Sequence, residues 1–92
     1  MKPSILQRDK VCYLCFRTFG LERHHIFAGV ANRPLSEKYG LWVWLCHNCH
    51  TGPHGAQYDP GKNQALKHDA QFAFERTHTH AEWMKIFGKN YL

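Results

Sequence analysis

The chain has 92 residues, with twelve Lys plus Arg against seven Asp plus Glu, eight histidines and four cysteines. That length fits one small domain spanning 1–92, whose core is too limited to dispense readily with a metal or disulfide staple. No apolar run precedes the first cysteine, which argues against a signal peptide and a membrane span; the expected setting is cytoplasmic, where paired thiols bind zinc more often than they form disulfides.

The positive charge is uneven: residues 1–40 carry seven basic and three acidic side chains. A surface of that sign suits a polyanion such as nucleic acid. Residues 1–10 show no periodicity and are expected to form a loosely held arm. Residues 11–55 carry every cysteine and five of the histidines, and residues 56–92 read as helical.

Val11-Cys12-Tyr13-Leu14-Cys15 has the form of a zinc knuckle, in which a two-residue spacer lets both sulfurs reach one ion at roughly 2.3 Å. Alone, that spacing would also fit a redox pair. The second pair, Cys46-x-x-Cys49, completes four thiolates, so Cys12, Cys15, Cys46 and Cys49 are expected to hold one structural zinc. Thirty residues separate the pairs, room for a substantial insertion.

Within it, residues 16–21 should form a short extended piece closed by Gly20, followed by a strand over Glu22–Phe27. The adjacent His24 and His25 then point to opposite sides, so one can take a cation while the other serves a different task. Ala28–Gly40 contains Gly29, Asn32, Pro34 and Gly40 and is expected as a long loop with one helical turn over Ser36–Tyr39 capped by Ser36. Arg23, Arg33 and Lys38 are candidates for holding a phosphate backbone.

Leu41-Trp42-Val43-Trp44-Leu45 gives the clearest strand signal. Leu41, Val43 and Leu45 share one face; Trp42 and Trp44 share the other, either simply buried or as a platform for stacking bases. His50 and His54 are four apart, but Gly52 and Pro53 argue against a regular helix between them. Tyr58–Gly61 is a turn. Leu66, Ala70, Ala73, Phe74 and Thr77 recur at helical spacing over 63–77. Thr79-x-x-Glu82 is a capping box for a second helix through Phe87, stopped by Gly88 and burying Trp83, Ile86 and Phe87. His68, His78 and His80 are expected on the solvated surface.

The pair His24-His25, a following strand and Leu45-Cys46-x-x-Cys49-His50, in that order over residues 11–55, resemble the HNH endonuclease family. The tail Trp83–Leu92 and the segment Ser36-Glu37-Lys38-Tyr39-Gly40 resemble small phage and prophage HNH proteins, which implies the cytoplasm of a bacterium or a phage-infected host. The resemblance implies a small α+β protein: a zinc-stapled ββα-metal finger with two C-terminal helices packed on it. It implies a metal-dependent endonuclease acting on DNA and leaving 5′-phosphate and 3′-hydroxyl ends. His25 takes the slot of the general base. His24, His50 and His54 take those of ligands to a catalytic divalent ion, which can be Mg²⁺, Mn²⁺, Ni²⁺ or Zn²⁺. One position departs: the family's asparagine, nine residues before the helix histidine, is here Leu41, so the group that orients His25 is left unassigned. The rival expectations are a zinc finger that binds nucleic acid without cutting it, or a phage packaging accessory.

Overall fold

In the computed structural model, which describes residues 2–92, the two predicted strands form one antiparallel ladder. Strand β1 is Leu21–His25 and strand β2 is Trp42–Cys46. Their register sets Leu21 against Cys46, Arg23 against Trp44, His24 against Val43 and His25 against Trp42. The alternation predicted for β2 holds. Leu41, Val43 and Leu45 have no exposure and face the core. Trp42 and Trp44 lie on the opposite face, where the Arg23 guanidinium sits 4.8 Å and 5.3 Å from their rings.

The β1–β2 connection is more ordered than the long loop expected. Helix α1 runs from Arg33 to Tyr39, with Pro34 in its first turn and Gly40 in the left-handed conformation (φ 70°) at its end. Proline is tolerated there because the first N–H groups have no intrahelical partner, and glycine takes a positive φ without a steric penalty. Ser36 is not the cap. It lies inside the helix, fully buried, and its hydroxyl donates to the Phe27 carbonyl (2.8 Å) and accepts from the Phe27 N–H (3.1 Å). This clamp takes Phe27 off the ladder, which is why β1 stops at His25 rather than Phe27.

The N-terminal arm is not loose. Its backbone runs along β2, with Ile5 N–H donating to the Gly40 carbonyl (3.0 Å) and Trp42 Nε1 donating to the Lys2 carbonyl (2.9 Å). Gln7 Oε1 accepts from Trp44 N–H (2.7 Å). The Trp44 N–H is a polar group of the sheet edge, and the arm satisfies it.

After β2 comes the single turn α2, His47–His50. Helix α3 spans Pro60–Phe74 and α4 spans His80–Phe87. α3 begins three residues before the expected start because Asp59 caps it, its carboxylate accepting from the Gly61 and Lys62 N–H groups. It ends at Phe74, so Thr77 lies beyond it, and His78 folds back to stack on Phe74 at 4.2 Å instead of facing solvent. α4 has the predicted Thr79 cap, with the Thr79 hydroxyl accepting from Glu82 N–H, and the predicted Gly88 stop. Trp83 of α4 is fully buried against Phe74 of α3 and Phe27. The described residues thus form a small α+β fold: a two-stranded sheet, four helices and one core shared between them. Among the described residues no helix is long and apolar enough to cross a membrane.

Candidate functional site

The two Cys-x-x-Cys segments meet at one end of the sheet, as the sequence predicts. Cys12 and Cys46 are buried, Cys49 is half-buried and Cys15 is exposed. All four sulfurs lie within 4.8 Å of one another. Cys15 Sγ and Cys46 Sγ are 3.6 Å apart. A disulfide would need about 2.05 Å. Two sulfurs on a tetrahedral ion at roughly 2.3 Å would stand about 3.8 Å apart. The spacing is that of a metal cradle, and a metal such as zinc fits it.

The thiol electrostatics agree. Burial pushes the Cys12 thiol up, but backbone hydrogen bonds from Cys46, Cys15 and Leu14 more than offset this and bring it down to about 6. Cys49 is pushed well above its ordinary range, first by burial and then by the neighbouring sulfurs. Four adjacent sulfurs cannot all ionise without a cation between them.

Three of the histidines gather beside the sheet, His24 and His25 on β1 and His50 on α2 directly after Cys49. His24, on the core side of β1, is 6% exposed, and its Nε2 is the buried side-chain polar atom without a hydrogen-bond partner among the described residues. Burial, reinforced by the charges of His50 and His25, lowers its pKa to about 4, so the ring is neutral and keeps a basic nitrogen. The His50 ring meets it edge-on, with centroids 5.1 Å apart. His50 Nδ1 pairs with Glu22 Oε1 at 2.8 Å, and the exposed His47 pairs with Glu22 Oε2 at 3.3 Å. Those bonds, His50 first, hold the Glu22 carboxyl below its usual range. A carboxylate accepts, so His50 Nδ1 donates and its Nε2 retains the lone pair a metal needs.

His24, His25 and His50 line one open cavity of about 680 Å³ together with Arg23, Arg33 and Glu37. His54 does not join them. Gly52 and Gly55 press against the backbone of Asn48 and His50, where a Cβ would collide. The chain therefore doubles back on α2, and Ala56 and Gln57 return to the Cys49 and His50 carbonyls. His54 sits on the outside of that bend, exposed, its carbonyl taking the Lys62 ammonium. Lys38 also points elsewhere, over the Tyr39 ring.

Glu22 and Glu37 escaped the sequence reading. Glu22 was legible in principle: two residues before His24 on a strand, it shares that histidine's face. Glu37 was not, because its reach depends on α1, expected there only as a single turn. Compared with protein-family models, curated proteins and solved structures, the chain matches none.

Proposed function

We propose that the protein is a metal-dependent nuclease of the HNH type, built on a ββα-metal finger and hydrolysing phosphodiester bonds in DNA. One observation carries the reading: a buried, neutral histidine with an unpartnered nitrogen faces a second histidine whose other nitrogen is fixed on a carboxylate, beside a third histidine in the same cavity. An orphaned buried nitrogen is costly to keep unless something binds it.

In this reading His24 and His50 would hold a divalent ion. An ion held there would supply charge stabilisation at the reacting phosphate. His25 takes the proton as water attacks phosphorus; the new O–P bond forms as the P–O3′ bond breaks. Arg23 and Arg33, in the cavity wall, hold the flanking phosphates. Glu22 keeps the His50 ring turned toward His24, a role in which such partners are worth about 10–100-fold in metal affinity or activity.

The displacement of His54 favours a second reading, a zinc finger that binds nucleic acid without cutting it, because two imidazoles make a weaker ion site than three. Supercoiled plasmid incubated with the protein and Mg²⁺, Mn²⁺, Ni²⁺ or Zn²⁺ separates the two. The nuclease reading expects metal-dependent nicking that stops with EDTA and is lost in His25→Ala. A mobility shift with intact plasmid under every metal establishes the binding module instead.

A further inference from the structure

We propose that Glu37 is the positioning residue for His25. The inference rests on the nuclease reading for its catalytic consequence, but its structural half stands on geometry alone. His25 Nε2 lies 3.2 Å from Glu37 Oε1, with the imidazole side chain 13% exposed and the carboxylate 44% exposed in the wall of the cavity. Leu41, which occupies the position of the family's asparagine, is fully buried in the core and has no polar side chain to offer. Only its backbone reaches this region, its carbonyl accepting from Ile26 N–H at 3.1 Å.

The carboxylate comes from α1, and α1 is anchored for the purpose. Ser36, the residue before Glu37, is locked by its hydroxyl to both backbone groups of Phe27, two residues beyond His25. The base and its partner therefore sit on two segments tied together one and two residues away. Arg33, one turn earlier, approaches the same carboxylate oxygen at 3.9 Å and restrains it from the solvent side.

The chemistry follows from donor and acceptor rules. A carboxylate oxygen accepts, so His25 Nε2 carries the hydrogen and Nδ1 keeps the lone pair. Nδ1 is then the atom that takes the proton from water as the O–P bond forms, the 3′ oxygen leaving with the electron pair of the broken bond. The resulting imidazolium is held against a negative charge, the same arrangement that orients and stabilises the histidine of a hydrolytic triad.

The test has three arms on the zinc-loaded full chain. By NMR, wild type shows a slowly exchanging His25 Nε2–H proton that persists in Glu37→Gln, where an amide oxygen still accepts, and disappears in Glu37→Ala. In plasmid cleavage, Glu37→Ala lowers kcat by roughly 10–100-fold with KM within about twofold, and Glu37→Gln or Glu37→Asp recovers part of the loss. Cobalt(II) added as a spectroscopic probe binds the histidine site equally in all variants. An Nε2–H signal unaffected by Glu37→Ala, or an active enzyme whose kcat does not respond, overturns the proposal. Loss of cobalt binding in Glu37→Ala also overturns it, making Glu37 a ligand. If wild type does not cut under any metal, the nuclease reading fails, and the NMR arm alone decides whether Glu37 fixes the ring.

Discussion

Phe16 follows the second knuckle cysteine with φ 67°, the left-handed region, and its ring is 72% exposed. Its N–H closes the knuckle turn onto the Cys12 carbonyl at 2.9 Å, so the turn, not the side chain, demands this conformation. A non-glycine residue there costs about 1–2 kcal/mol, and glycine's extra chain entropy gives back about 0.5–1 kcal/mol. Phe16→Gly is therefore expected to raise thermal stability, by up to about 1 kcal/mol, with zinc affinity kept; a lower melting temperature would show that the exposed ring makes contacts worth more than the turn's strain. His24 makes a prediction of opposite sense. Burial holds its pKa at about 4 in the folded chain, below the ordinary 6.5 of a solvated histidine. Between those values the unfolded chain binds a proton that the native chain refuses, so stability rises with pH across that window and falls as acid is added. From pH 7 to pH 5 the loss is on the order of 2 kcal/mol, with no ion added for the histidine site. Wild type should lose that amount of stability relative to His24→Leu as pH drops, whichever is the more stable at pH 7, because the leucine has nothing to titrate.

At the scale of elements, α1 decides the shape of the cavity, and one hydroxyl decides α1. Ser36→Ala removes a donor and an acceptor at once and leaves Phe27 N–H and C=O without their partner in a buried setting. Stranding such groups costs about 1–3 kcal/mol each. The expected outcome is a domain destabilised by at least 1–3 kcal/mol, measured by urea unfolding, with accelerated hydrogen exchange concentrated in 33–39. The same region marks where the sequence was and was not legible. β2 could be read because five residues alternate strictly between core and outer face, and Thr79 and Gly88 bracketed α4 because capping is a local matter. The four cysteines were readable because metal geometry depends on spacing that the sequence prints. α1 was hidden because Gly29, Asn32, Pro34 and Gly40 signal turns individually, whereas what holds the helix is a tertiary bond from Ser36 to Phe27. His54 rests on the resemblance alone: Gly52 and Pro53 argue against a regular helix after His50, and α2 does end there, the chain turning back on it at Gly52. The arm at 2–10 looked featureless because its order comes from single tertiary bonds to Gly40, Trp42 and Trp44, which leave no local periodicity in the arm's own sequence.

At the scale of the whole molecule the four-cysteine cradle and the hydrophobic core are one structure. Cys12 and Cys46 belong to the same buried cluster as Leu45, Phe74 and Trp83. Tyr13, between the knuckle cysteines, bonds the Trp44 carbonyl through its N–H and Asp69 of α3 through its hydroxyl, both at 2.8 Å. Phe27 then passes the packing on to α4 through Trp83 at 5.5 Å and Phe87 at 4.5 Å. Small domains are stable by about 5–15 kcal/mol in total, while a structural zinc supplies an apparent 10–16 kcal/mol. Removing the ion therefore exceeds what the remaining contacts can absorb. Chelation is expected to unfold the whole chain in one step: loss of helical circular dichroism from α3 and α4, and the red shift of tryptophan emission, follow a single midpoint in chelator concentration. Cys46→Ser should reproduce the unfolded spectrum without chelator, whereas Cys15→Ser, at the exposed corner of the cradle, should retain partial structure at high zinc. Helices that survive with the metal gone would mean that residues 56–92 form a core of their own, and that the cysteines organise only the sheet end.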